Sequence, residues 1–248
     1  KRRKIAEKLI LEEIYRYKER KQKLRVDDLK RYKIKALLID TYDDITKIHK
    51  EIENRFRKKT IFISGSAEEY GRWDRNQAQS FIHSLSKKII TFHYRVVNGF
   101  GWGVGSAVIN GALEAVYEKP DKYSEDQLIV KPFPQFETGE KKLPELWDEY
   151  RNRMISMAGI AIFIFGNKND GKGRIIQANG VMREFEIAIQ HGLIPIPIAA
   201  TGYTTSDIYQ EIFKTPEKYY VGIEWIIPII KELSSDKLNT DEIIEKTI

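Results

Sequence analysis

Asn98-Gly99-Phe100-Gly101-Trp102-Gly103-Val104-Gly105-Ser106 is a run of four alternating glycines between a short apolar stretch, Tyr94–Asn98, and a helical pattern, Ser106–Tyr117. Glycine costs more conformational entropy on folding than any other residue. Such a run is therefore kept where the backbone takes positive φ or passes close to another group. The order strand, glycine turn, helix makes a βα unit. Its turn faces unpaired N–H groups and the positive end of a helix dipole, which suits an anion. The run is no dinucleotide fingerprint, because neither Gly99 nor Gly101 starts a G-x-G-x-x-G, and it lacks the Gly-Lys-Ser/Thr ending of a P-loop. It reads as a phosphate seat without naming the phosphate, with a tight turn under close helix packing as the alternative. Phe100 and Trp102 read as stacking surfaces for a base or ribose, or as hydrophobic cover.

Outward from this loop, apolar runs alternate with helical stretches from Thr60 onward, the pattern of βαβ units. Strands are expected at Thr60–Ser64, Tyr94–Asn98, Gln127–Val130, Ile160–Phe165 and Ile194–Ile198. Helices are expected at Asn76–Thr91, Ser106–Tyr117, Leu143–Met157, Gly180–Gln190, Ser206–Phe213 and Trp225–Leu233. The strands are continuously apolar, as in a parallel sheet covered on both faces. The expected fold is α/β, a Rossmann-like parallel sheet with helices on both faces, preceded by a helical extension. The Pro-containing, charged segment Glu118–Glu145 reads as a mobile connection interrupted by one strand.

Residues 1–59 hold 21 of the 42 Lys and Arg and 11 of the 36 Asp and Glu, a net of +10, which leaves −4 for 60–248. The basic character thus belongs to the leading segment, and nucleic acid is an unfavoured partner for the sheet-bearing part. In that segment Ile5, Leu9, Ile10 and Ile14, and then Ile45, Ile48, Ile52 and Phe56, recur at helical spacing. Two or three amphipathic helices are expected, the middle one capped by Asp27 or Asp28. A helical linker over 1–59 and a second domain over 60–248 follow. The absence of cysteine excludes disulfides and thiolate chemistry and fits a reducing cytoplasm. No apolar run reaches the roughly 18 residues of a membrane span. His49, His83, His93 and His191 are scattered, so no metal site is expected. A chain opening on Lys1-Arg2-Arg3-Lys4 without an initiator Met is expected to be a piece of a longer protein.

Open parallel sheets bind ligands beyond the carboxyl ends of their strands. Besides the glycine loop, Ser64-Gly65-Ser66 after the first strand lets backbone N–H groups approach a ligand. Around the fourth strand lie Arg151 and Arg153 before it, Lys168 and Lys172 after it, and Asn179-Gly180 opening a helix with Glu184 and Glu186. Arginine and lysine suit phosphate, and a carboxylate accepts from ribose hydroxyls or a base. Glu184 and Glu186 are two apart, so only one of them faces a given pocket. Thr204 or Thr205 is expected to cap the next helix. No nucleophile and base can be paired, so no catalytic residue is expected.

Together Ile61–Ser66, Gly99–Ser106 and Ile162–Lys168, with Asn179-Gly180, Glu184-Phe185-Glu186 and Pro195-Ile196-Pro197, resemble the STALD-type SLOG domain of Thoeris anti-phage effectors. The resemblance runs from about Thr60 to the end of the chain. It implies a bacterial sensor domain that follows a sirtuin-like NAD-hydrolysing domain and carries no cofactor of its own. That sensor binds a cyclic ADP-ribose isomer made by a partner TIR protein. It further implies that binding reorganises a homo-oligomer, from dimer to tetramer or filament, and switches on NAD hydrolysis. The ligand residues it implies are Arg151 or Arg153, Lys168, and Glu184 ahead of Glu186. Related LOG-type phosphoribohydrolases carry Pro-Gly-Gly-x-Gly-Thr-x-x-Glu at the last helix, where this chain reads Ala178-Asn179-Gly180-Val181-Met182-Arg183-Glu184-Phe185-Glu186. The loss of those glycines favours a sensor over the alternative of a nucleotide phosphoribohydrolase.

Overall fold

The computed structural model describes residues 2–34, 36, 39, 41–137 and 140–248, with side chains from residue 11 onward. The side chains of Ile5, Leu9 and Ile10, invoked above for the helical repeat, lie outside the described residues. The chain divides into two units, Lys1–Glu51 and Ile52–Ile248.

Helix α1 spans Arg2–Arg31 and α2 spans Tyr42–Lys58. Among the described residues no helix begins at Asp27 or Asp28, both of which lie inside α1. Residues 2–31 contain no Gly or Pro and are rich in Lys, Arg, Glu and Leu, so nothing stops the first helix. Asp27 and Asp28 sit in its last turns and pair with Lys30 and Arg31 instead of capping.

The second unit is the α/β fold. Its strands are β1 (Thr60–Ser66), β2 (Arg95–Asn98), β3 (Leu128–Val130), β4 (Ile160–Phe165), β5 (Asn167–Asn169), β6 (Ile175–Gln177) and β7 (Ile194–Pro197). The main helices are α3 (Arg75–Thr91), α4 (Gly105–Glu118), α5 (Leu143–Ile155), α6 (Asn179–Gln190) and α7 (Thr204–Lys214), followed by α8 (Pro216–Tyr219), α9 (Ile227–Glu232) and α10 (Thr240–Thr247). Five strands pair in the order β3-β2-β1-β4-β7, all parallel. The chain steps outward from β1 to β2 and β3, then returns across β1 to β4 and β7. Right-handed crossovers place the two sets of helices on opposite faces. Accordingly α3 packs on α4, while α5 and α7 each pack on α6. Between these layers Phe62, Ile63, Ala161–Phe165 and Val96-Val97 are fully buried, which is why the strands read as unbroken apolar runs.

Elsewhere too the elements depart from expectation. β1 runs two residues further, since Gly65 and Ser66 still pair with Ile164 and Phe165 of β4; Ser64-Gly65-Ser66 is the end of a strand rather than a loop. A β5–β6 hairpin follows β4 where only a charged loop was expected. The chain also ends in α10, opened by an Asn239–Glu242 capping box whose side chains each accept from the other's backbone N–H. Within Glu118–Glu145, Thr138 and Gly139 lie outside the described residues. No helix of the described residues is long and apolar enough to cross a membrane.

Candidate functional site

The strand order reverses between β1 and β4, and such a switch point opens a crevice at the carboxyl ends of the two strands. Ser64 in β1 reaches that crevice fully buried, and its Oγ donates to Glu184 Oε2 of α6 at 2.6 Å. The other carboxylate oxygen lies 3.5 Å from Arg151 Nε of α5, with only 17% and 11% of the two side chains exposed. Arg151 Nε is buried without a hydrogen-bond partner. The guanidinium also borders the start of α6, where a Cβ on Gly180 would stand 3.0 Å from Arg151 Nη2. The N-cap of α6, Ala178, offers no side-chain hydrogen bond. A cation, an uncapped helix N-terminus and a buried acid thus converge at one point, an arrangement able to take a phosphate and a hydroxyl or amino donor together.

Burial pushes the Glu184 carboxyl above the ordinary value of 4.5, against the opposing pull of Ser64 and Arg151. The native state therefore keeps a proton that the unfolded chain releases near that pH. Stability is full below it and falls as pH rises through the higher native value. In Glu184→Gln, which keeps an oxygen for the Ser64 hydroxyl, this fall should vanish. Urea midpoints of both proteins, read from acid to neutral pH, should diverge upward for the variant and then run parallel. A pH-independent difference would contradict the assignment.

Two choices left open by the sequence are separated here. Arg153 is exposed and lines a shallow cleft with Glu145, Asp148, Glu149 and Asn152, away from Glu184. Glu186 is on the surface, paired with Arg183 at 2.8 Å. Arg183 also grips Asp148 with two parallel bonds of 2.7 and 2.8 Å, which ties α6 to α5 and holds Arg151 and Glu184 in register. That guanidinium draws the Asp148 carboxyl below its usual value.

The glycine loop is packed against the protein itself. A Cβ on Gly99 would lie 2.8 Å from Phe133 Cε2, one on Gly101 2.1 Å from the Gly65 oxygen, and one on Gly105 2.6 Å from Phe100 Cα. Of the four, only Gly103 has positive φ, +69°. The N–H groups of Val104 and Gly105 both donate to the Gly101 carbonyl, so part of the expected anion seat at α4 is already engaged. Ser106 is exposed in the first turn of α4. Asn98 holds the loop in place: its Nδ2 donates to Ile63 and its Oδ1 accepts from Phe100 N–H. Phe100 and Trp102 remain 52% and 73% exposed.

Ser66 Oγ is spent on the Asn167 carbonyl. Lys168 stands exposed on β5 opposite Ile176, and no ion pair holds it among the described residues. Thr204 caps nothing. The N-cap of α7 is Tyr203, without a side-chain bond, and Thr204 Oγ1 instead donates to the Gly166 carbonyl and accepts from Ala178 N–H. It fastens the exit of β4 to the start of α6, a long-range role invisible in local sequence. Asn167, Arg183 and Phe133 were not singled out from the sequence either. Asn167 is fully buried and accepts from Glu68 and Glu69 N–H, anchoring the loop after β1.

A family model described as the Sir2- and TIR-associating SLOG family, STALD, matches residues 44–248. The chain belongs to this family. Its curated relatives carry the name NAD(+) hydrolase ThsA. One from Bacillus cereus is 41% identical over 96% of this chain and 49% of its own length, and one from Cytobacillus dafuensis is 42% identical over 96% and 48%. One from Acinetobacter baumannii is 36% identical over 84% and 44%. The chain spans about half the length of the curated relatives it matches.

Proposed function

We propose that this STALD domain is a regulatory sensor of a cyclic ADP-ribose isomer made by a TIR-domain partner. Binding changes the contacts of a homo-oligomer and thereby activates an attached NAD-hydrolysing part in anti-phage defence. The observation that carries the reading is the convergence of Arg151, Glu184 and Ser64 at the uncapped start of α6. A guanidinium fork and helix N–H groups match a pyrophosphate, and a buried carboxyl group matches a ribose hydroxyl or an adenine amino group. Lys168 on the neighbouring hairpin supplies a second cation, and the exposed rings of Phe100 and Trp102 supply faces for a base. The relatives' name supports NAD as substrate of the parent protein, and the family description supports a TIR source for the signal.

Calorimetric titration of the 248-residue chain with a panel of cyclic ADP-ribose isomers tests this. One isomer should bind and be recovered unchanged by chromatography, and AMP should survive incubation intact. No heat from any isomer at tens of micromolar overturns the sensor, and free base released from AMP would mark a phosphoribohydrolase.

A further inference from the structure

We propose that Phe133 is a positioning residue, holding the Arg151 guanidinium in place for the ligand; this rests on the ligand reading above. Phe133 lies on the strap from β3 to α5. That strap is fastened by Lys131 N–H to the Asn98 carbonyl at 2.9 Å and by Trp147 Nε1–H to the Pro134 carbonyl at 2.7 Å. Arg151 Cζ sits 4.9 Å from the centroid of the Phe133 ring, within the range of a cation–π contact.

Arg151 has few other holds. Its Nε is buried without a hydrogen-bond partner, and its carboxylate neighbour is 3.5 Å away, beyond the length of a strong charge-assisted bond. A flexible arginine so loosely tied pays rotamer entropy on meeting a ligand unless something else confines it. The ring face does so, attracting the guanidinium. The ring is itself seated: Tyr150 packs at 5.7 Å, and Gly99 leaves the notch that a Cβ, 2.8 Å from Phe133 Cε2, would fill. The first glycine of the loop therefore serves the arginine through Phe133.

Two readouts test the role. In the ligand-free chain the Arg151 Nε–Hε resonance should lie upfield of a free arginine's, displaced by the ring current. Phe133→Leu, which keeps apolar bulk, should abolish that displacement, and Phe133→Tyr should retain it. In titration with the cyclic ADP-ribose isomer that binds, Phe133→Leu should weaken affinity by roughly 2- to 12-fold, the rotamer entropy of one side chain no longer confined before binding, while the melting temperature falls by no more than about a few degrees. Phe133→Tyr should bind like the unsubstituted chain. An undisplaced resonance in the unsubstituted chain overturns the inference, as does undiminished affinity in Phe133→Leu. If the unsubstituted chain binds no isomer, the sensor reading falls and the role in ligand binding falls with it. The resonance alone would then still decide whether Phe133 seats Arg151.

Discussion

Gly103→Ala is expected to lower the stability of the α/β unit by about 2–5 kcal/mol. A Cβ at this position would stand 1.9 Å from the Ala67 oxygen and 2.9 Å from its carbon, both backbone atoms at the end of β1. The obstacle is not the end of a flexible side chain and cannot swing away. Ala67 is pinned there by its own N–H, which donates to Trp102 O at 2.8 Å, and Gly103 O accepts from Tyr70 and Gln79. Forcing extra volume into so fixed a place costs about 1–3 kcal/mol. The φ of +69° adds the penalty of left-handed backbone, roughly 1–2 kcal/mol for an alanine. For a unit of this size each kcal/mol lowers the melting temperature by roughly 2–4 °C. Gly171→Ala is the internal control. Its φ is +79° but nothing lies within 4 Å of its Cβ, so it should lose only the dihedral part. Equal losses in the two variants would mean that the loop does not press on the end of β1.

Arg151→Ala is expected to weaken binding of the proposed cyclic ADP-ribose isomer by about one to two orders of magnitude, as hydrogen bonds to a charged group contribute about 1.5–3 kcal/mol and every 1.4 kcal/mol is tenfold. The fold should survive. Removing the cation leaves Glu184 bonded to the Ser64 hydroxyl, and burial already favours the protonated form of its carboxyl group, which lessens the cost of the lost partner. The stability lost at neutral pH should then be smaller than the 3–5 kcal/mol or so of a buried pair broken with its charge intact. Arg153→Ala, two residues on, removes an exposed side chain and should change stability by no more than about 0.5 kcal/mol, with affinity unaltered. Calorimetry and urea unfolding of the two variants together decide the matter. A larger loss of affinity in Arg153→Ala would move the site to the other side of α5.

Much of the fold was legible because it is written in local patterns. Unbroken short apolar runs such as Ile160–Phe165 fit strands covered on both faces, and their alternation with helical periods fits a parallel sheet. The β5–β6 hairpin was not legible, because Asn167-Lys168-Asn169 pairs through backbone groups that leave no apolar signature. Nor was the length of α1, whose polar stretch around Arg25–Asp28 reads as a break although nothing in it opposes a helix.

The sequence by itself determined the parallel α/β sheet, the family resemblance, the basic leading segment and the rule that Glu184 and Glu186 cannot share a face. Only the tertiary structure decided which of them turns inward and which arginine meets it, because that depends on how α5 and α6 dock through Arg183 and Asp148. It also decided what the glycines are for. Their spacing announces a close approach, but the partners are Gly65, Ala67, Phe100 and Phe133, three of them far along the chain. Steric room is a property of two pieces of the chain brought together, and a sequence lists only one of them at a time.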